Sequence, residues 1–550
     1  MGSHAGERSG TWAIRRPSRV TVAVLAVLGL TIVPAVGSSQ SGMVAHAAGD
    51  AGTLSMVADY DPADIDPAAD QLAGSNNIQR NVYDQLTSLK GSAINDVVPS
   101  LATRWTSNAN KSTWTFYLRQ GVKFHTGHEL TADDVKFSIG RTIKAGLAGS
   151  FLYSRFITNP DKQIKVINKY TVEFDLGSPQ PLFLASTDNE YVGAIVDSIE
   201  VKKHIVKNDY GHAWLANNDA GTGPYTIKSW QHGTQVTLVK FPQYWGGWSG
   251  KHFSKVIFQT IPEGSTRRQM LERGTADLTF NLNPQDNAAL SKEATVNVDT
   301  RYTTEVQYMF MTEAGPLASP LARQAMSYAF NYNAYLQAAY KGFARRAYGP
   351  IPSVLLGYDP NMFHYQTDLN KAKQLFAQAG VAPGTTFTLV HANFFNYNIA
   401  AGILQAQLAQ IGYVLKTTSL DEAAYNNIYY KTEPAKQHPN LLTFSWWPDF
   451  NDPYDMALPL ISSKSWGSAG ANAGYYKNAT VDKLMSASAN ADKQTLIRNF
   501  KTIQDITGRQ DPPALWLGEP AQVSIFRKDI KGYTFNPLEV QTYGFYSLYR

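Results

Sequence analysis

Cysteine is absent from all 550 residues, which removes disulfides, thiolate metal sites, c-type haem attachment and cysteine nucleophiles together. Charge is sparse and nearly balanced. The formal net charge is +5, but residues 1–48 hold Arg8, Arg15, Arg16 and Arg19 against Glu7, so that segment supplies +3 of it. The remainder near +2 gives no electrostatic case for a nucleic-acid or anionic-membrane partner. Phosphate-binding glycine loops ending in Lys-Ser/Thr are missing, and Trp466-Gly467-Ser468-Ala469-Gly470 misses the spacing of a hydrolase nucleophile elbow. The apolar run from Val20 to Val33 is short for a membrane helix, which needs about 20 residues.

That run does suit an exported leader. Arg15, Arg16 and Arg19 precede it, and Ala45-His46-Ala47 offers the small residues a signal peptidase reads, so residues 1–48 are expected to be a cleaved signal peptide. An uncleaved anchor is the alternative. Pro17-Ser18-Arg19 continues a twin-arginine motif poorly, which favours general secretion. A chain of this length exceeds one core and should hold two or three domains.

Pro99 to Arg141 is the most informative stretch. Trp114, Phe116 and Leu118 alternate with Thr113, Thr115, Tyr117 and Arg119 as in a half-buried strand. Gly121 and Thr126-Gly127-His128 supply turns, and Thr131 with Asp134 marks the start of a helix whose face carries Ala132, Val135, Ile139 and Ile143. Alternation returns at Tyr170, Val172, Phe174 and Leu176, where a hairpin is expected, and again after Gly221-Thr222-Gly223-Pro224-Tyr225. Asn76 to Leu89 reads as helical. The C-terminal half alternates the two periods: a helical face at Leu321, Ala325 and Ala329, another at Leu369, Ala372, Phe376 and Ala379, a strand from Phe387 to Val390, and a helix from Ile403 to Ile411. Such units argue for an α/β lobe with a mostly parallel sheet, whose ligand loops sit at the carboxyl ends of strands, near Phe394 and Trp447.

His125-Thr126-Gly127-His128-Glu129 invites a metal reading. Gly127 would break the helix needed to present both histidines, so no metal is expected there. The stretch 99–141 instead resembles the signature of extracellular solute-binding proteins of family 5, the dipeptide, oligopeptide and nickel ABC importer type. Gly221–Tyr225 with Tyr244-Trp245-Gly246-Gly247, Ser319–Phe330, Ile503–Leu517 and Ile530–Leu538 are similar to the same family.

The resemblance implies a two-lobed, hinged α/β periplasmic-binding-protein fold of type II, with an extra α+β domain inserted in the first lobe. Lobe I would comprise 49–85, 221–304 and 521–550, the inserted domain 86–220, and lobe II 305–520. It implies no enzyme activity and no cofactor. The function implied is capture of an extracellular oligopeptide-like solute and its delivery to a membrane ABC permease by a monomer. Many relatives are lipoproteins tethered through a cysteine; with none here, a periplasmic or freely secreted protein is expected.

Ser445-Trp446-Trp447-Pro448-Asp449-Phe450-Asn451-Asp452-Pro453 resembles the family turn whose first Asp binds a peptide's α-ammonium, which makes Asp449 the candidate anchor. A carboxylate in a closing cleft suits a charge-assisted bond to an ammonium; a turn-capping role is the alternative. Asp452 reads as structural. In the dipeptide branch an Arg near 391–398 receives the peptide carboxylate, but that segment here, which includes Asn393, Phe394 and Phe395, has none. A strict free-dipeptide ligand is disfavoured, and longer peptides or ligands without a carboxylate are allowed. Trp446, Trp447, Phe394 and Phe395 could stack on a ligand or pack in the core. An oligosaccharide or chelated nickel is the rival ligand, and a secreted hydrolase or folding factor the rival class.

Overall fold

A computed structural model describes residues 52–69, 73–147, 149–189, 193–467 and 470–550; the leader read at 1–48 lies outside them. Among the described residues no helix is long and apolar enough to cross a membrane.

One long mixed sheet organises the chain. Its first half centres on Thr53–Ala58, buried along its whole length, with parallel neighbours Lys255–Thr260 and Leu278–Phe280. A strand covered on both faces reads as a continuous apolar run, as TLSMVA nearly does. Gln235–Lys240 and Tyr225–Gln231 extend this half as an antiparallel meander.

The 14-residue strand Ala514–Arg527 runs through both halves. Its beginning pairs with Val306–Met311, and its end pairs with Leu278–Phe280 and Val296–Tyr302. Ala344–Arg345 pairs with Glu519 and Pro520, where the strand changes neighbours. In the second half Thr386–Ala392 runs parallel to Val414–Leu420 and to Leu441–Trp446, while Val306–Met311 is antiparallel to both of its neighbours. The mostly parallel sheet expected here is thus mixed. The helix-linked strands are parallel, whereas Val306–Met311, which follows Val296–Tyr302 with no helix between them, runs the other way between Leu441–Trp446 and Ala514–Arg527.

Both faces of this half are covered, as the alternation along Val306–Met311 shows. Met309 and Met311 join a core with the helices Pro320–Ala329, Leu369–Gln378 and Phe395–Gln410. Val306, Tyr308 and Phe310 join another with the helices Pro453–Ile461 and Lys493–Asp505.

A separate four-stranded antiparallel sheet holds Ala102–Ser107, Thr113–Leu118, Thr171–Asp175 and Ile164–Asn168. Trp114, Phe116 and Leu118 face its core, where Phe116 meets Phe174 edge-on at 5.6 Å. The helix Ala132–Ala145 covers it, starting at a Thr131/Asp134 capping box in which Asp134 accepts the Thr131 N–H at 2.8 Å.

Two helices differ from the sequence expectation. Helix Ala73–Val82 stops seven residues before Leu89, because the Gly221–Gly223 segment crosses its end. The Val82 carbonyl accepts the Gly223 N–H at 2.8 Å, and a Cβ on Gly221 would lie 2.0 Å from that oxygen. The other helix begins at Phe395 rather than Ile403. Its buried face, Tyr397, Ala400, Ala401, Leu404 and Leu408, extends into a polar stretch whose hydropathy conceals the first two turns.

Candidate functional site

Register gathers the candidate residues at one end of the second-half sheet. Val306 lies opposite Trp446, and the parallel strands Thr386–Ala392 and Leu441–Trp446 end on the same side. The residues just beyond, Asn393 to Phe395 and Trp447, therefore gather where Glu305 enters the crossover strand. Carboxyl ends of parallel strands are the usual place for ligand loops in open α/β sheets.

A cavity of about 260 Å³ opens beside this edge, between the two halves of the long sheet. Glu305, Gln307, Tyr340, Phe395 and Asn396 line it from one side, and Phe280 to Leu282 from the other. Gln522 and Val523 line it from the shared strand. Gln307 is buried and fixed by three donors to its Oε1: Tyr335 Oη at 2.8 Å, Asn396 Nδ2 at 3.2 Å, and Tyr340 Oη. Burial raises both tyrosine pKa values, so both phenols are donors. With its oxygen committed, Gln307 turns its amide toward Glu305, donating from Nε2 to Oε1 at 3.4 Å. Burial pushes the Glu305 carboxyl above its usual range, and the hydrogen bonds from Gln307 and Ser445 oppose that only in part. Among the described residues no Lys, Arg or His forms an ion pair with Glu305.

Of the aromatic candidates, Phe395 lines the cavity and is 53% exposed; Phe394 and Trp447 are 44% and 39% exposed at the same edge. Side chains this exposed are not packed in the core. Phe394 leans on Tyr397, with ring centroids 5.7 Å apart. Asn393 is exposed and accepts a hydrogen bond from Asn398 at 3.0 Å. Trp446 is half-buried against the core that holds Tyr308 and Trp516.

Asp449 belongs to a different group of side chains. Its N–H donates to Asp455 Oδ2 at 2.7 Å, its carbonyl accepts from Asn189 Nδ2 at 3.0 Å, and Arg155 Nη1 donates to Asp455 Oδ1 at 2.6 Å. Phe450 is buried in the core of the four-stranded sheet, with the Arg155 guanidinium 5.4 Å from its ring centroid. The 449–455 turn is thereby docked on the segment that contains that sheet. Asp449 and Asp455 share one arginine. Burial and then the Asp455 charge drive the Asp449 carboxyl far above its usual range, with Arg155 opposing. Asp452 caps the helix Pro453–Ile461, accepting the Tyr454 N–H at 2.7 Å.

The histidine turn is internally paired. His125 Nδ1 contacts both Asp219 oxygens at 2.7 Å and Nε2 contacts the Gly223 carbonyl at 2.8 Å; His128 contacts Asp197 at 2.6 Å. Sequence reasoning missed Glu305, Gln307, Tyr340 and Asn396. A signal was present in TTEVQYMFM, where the face bearing Met309 and Met311 turns polar at Gln307 and Glu305 toward one end.

Two halves sharing one long strand, with an aromatic, acid-bearing cavity between them, define a protein that encloses a solute rather than one that transforms it. The chain belongs to the bacterial extracellular solute-binding proteins, family 5, whose model matches residues 96–468; it is a binding protein, not an enzyme. It is 30% identical over 508 residues to the "Probable D,D-dipeptide-binding periplasmic protein" of Escherichia coli K12, covering 91% of this chain and 95% of that one. It is 27% identical to the dipeptide-binding protein of the same organism, covering 83% and 87%. The Helicobacter pylori ABC transporter-associated periplasmic binding protein, solved with the peptide STSA, superposes with a TM-score of 0.78 at 27% identity, covering 90% of this chain and 98% of that one.

Proposed function

We propose that the protein captures an oligopeptide-like solute between its two halves and delivers it to a membrane ABC permease, acting as an exported, periplasmic monomer after removal of residues 1–48. In this reading 49–85, 221–304 and 521–550 form lobe I, 86–220 an inserted domain and 305–520 lobe II. Asp449 is the anchor for the peptide's α-ammonium, and Trp447, Phe394 and Phe395 contact its side chains, with Trp446 and Asn393 behind them. The observation that carries this is the pairing around Asp449: Arg155 is committed to the buried Asp455 at 2.6 Å, and among the described residues no cation forms an ion pair with Asp449, so an incoming ammonium supplies one. Relatives named for dipeptides and a neighbour solved with a peptide support the ligand class.

Closure supplies the mechanism. Ligand held by one half gains contacts from the other only when the halves meet, so it populates the closed state in proportion to its extra affinity for that state. Asn189, Arg155 and Phe450 hold the 449–455 turn against the four-stranded-sheet segment. Mass spectrometry of material co-eluting with protein gently purified from its native host tests the reading. A stoichiometric peptide is expected; a sugar, a chelated metal, or turnover of a peptide pool would overturn it.

A further inference from the structure

Asp449 does not line the cavity that Glu305 lines, so on the proposed reading the ligand meets two separate acidic points. One is accounted for by the α-ammonium of a peptide. The other is a part-buried carboxyl surrounded by neutral donors, held in place by a glutamine whose own oxygen is saturated. A carboxylate can accept about four hydrogen bonds. Gln307 and Ser445 use two of these sites. Burying such a group without a counter-charge is unfavourable. Among the described residues no cation pairs with it, and two exposed aromatics lie close by: Phe395 in the cavity wall and Trp447 just past the ladder end that Glu305 enters.

The volume narrows the occupant. About 260 Å³ lies below the roughly 300–1,000 Å³ typical of a site for a whole small-molecule ligand, and it suits one long side chain with a few waters. We infer that this cavity is a subsite for a basic side chain of the bound peptide, with its ammonium or guanidinium on Glu305 and its methylene stem against Phe395 and Trp447. The inference rests on the peptide reading above. Aromatic faces add attraction for the same cation, and Gln307, pinned by Tyr335, Tyr340 and Asn396, positions the carboxylate before ligand arrives.

The test is calorimetric titration at pH 7.5 with trialanine carrying lysine, or the uncharged isostere norleucine, at each of its three positions in turn. At one position the lysine peptide should bind the wild-type protein about tenfold tighter or more than the norleucine peptide. That ratio should fall toward one in both Glu305→Gln and Glu305→Ala, with thermal melting used to verify folding. A ratio near one at every position in the wild type would overturn the inference without needing any variant, and so would a ratio that survives both substitutions. If no member of the series binds the wild type at all, the peptide reading itself falls.

Discussion

The histidine turn at 125–129 and the cleft around Glu305 and Asp449 are both polar, part-buried junctions between distant chain segments, yet their charges are arranged in opposite ways. His125 and Asp219 have side chains only 4% and 9% exposed and are matched one to one. Burial alone would strip the proton from His125, but Asp219 overrides it and holds the imidazole pKa above its usual 6.5; His125 likewise holds Asp219 below its usual value despite burial. In the cleft, burial wins instead: Glu305 and Asp449, neither in an ion pair with a cation among the described residues, are both pushed upward. Matched buried charge holds a fold together. Unmatched buried charge is what an incoming cation would complete, and the proposed reading rests on that.

The sharpest way to break this contrast is to remove one partner of the matched pair. Asp219→Ala leaves a buried imidazole and also frees Thr226 and the Gly221 N–H from their acceptor. A loss of about 3 kcal/mol or more in denaturant unfolding is expected. An unchanged midpoint would show that the turn adds little to stability. Asp449→Asn, the counterpart in the cleft, should act on ligand instead: peptides with a free N-terminus should bind about 10- to 100-fold more weakly, while stability holds or rises. Equal affinity for free and N-acetylated peptides in the wild type would remove Asp449 as the anchor. Trp447→Ala should weaken peptide binding by about 1 kcal/mol, detected in the same titrations.

The contrast also explains what could be read from the sequence. Trp114, Phe116 and Leu118 announced their strand because one face is core and the other solvent, and Thr131 with Asp134 announced a helix start because the capping box is local chemistry. Phe394, Phe395 and Trp447 could be placed at strand ends for the same reason. Glu305 could not, since its meaning depends on Gln307, whose orientation is set by Tyr335 and Tyr340 about thirty residues on and by Asn396 about ninety residues on. The end of the helix at Val82 was hidden similarly, being imposed by glycines about 140 residues away. Local periodicity carries no record of such encounters.

The smallest effect separates the two regions most cleanly, because their pH dependences have opposite form. His125 has a raised folded pKa, so its contribution is complete below the unfolded value of 6.5 and is lost as pH climbs through the folded value. Asp219 is depressed, so its share is present above its unfolded value of 3.8 and is lost on acidification through the folded value. The wild type should therefore exceed Asp219→Asn in stability by most between about pH 4 and 6.5. Glu305 reverses the sign. Its raised carboxyl carries a penalty above its folded pKa that is relieved as pH falls through that value and is gone below the unfolded 4.5. Glu305→Gln should then be more stable than wild type at pH 8, by about 1 kcal/mol or less because the amide can keep one acceptor bond, and equal to it near pH 4. Urea titrations of the three proteins at pH 4, 6 and 8 measure this directly. A Glu305→Gln variant less stable than wild type at pH 8 would mean that the carboxylate is already balanced within the protein, and the distinction between the two regions would fail.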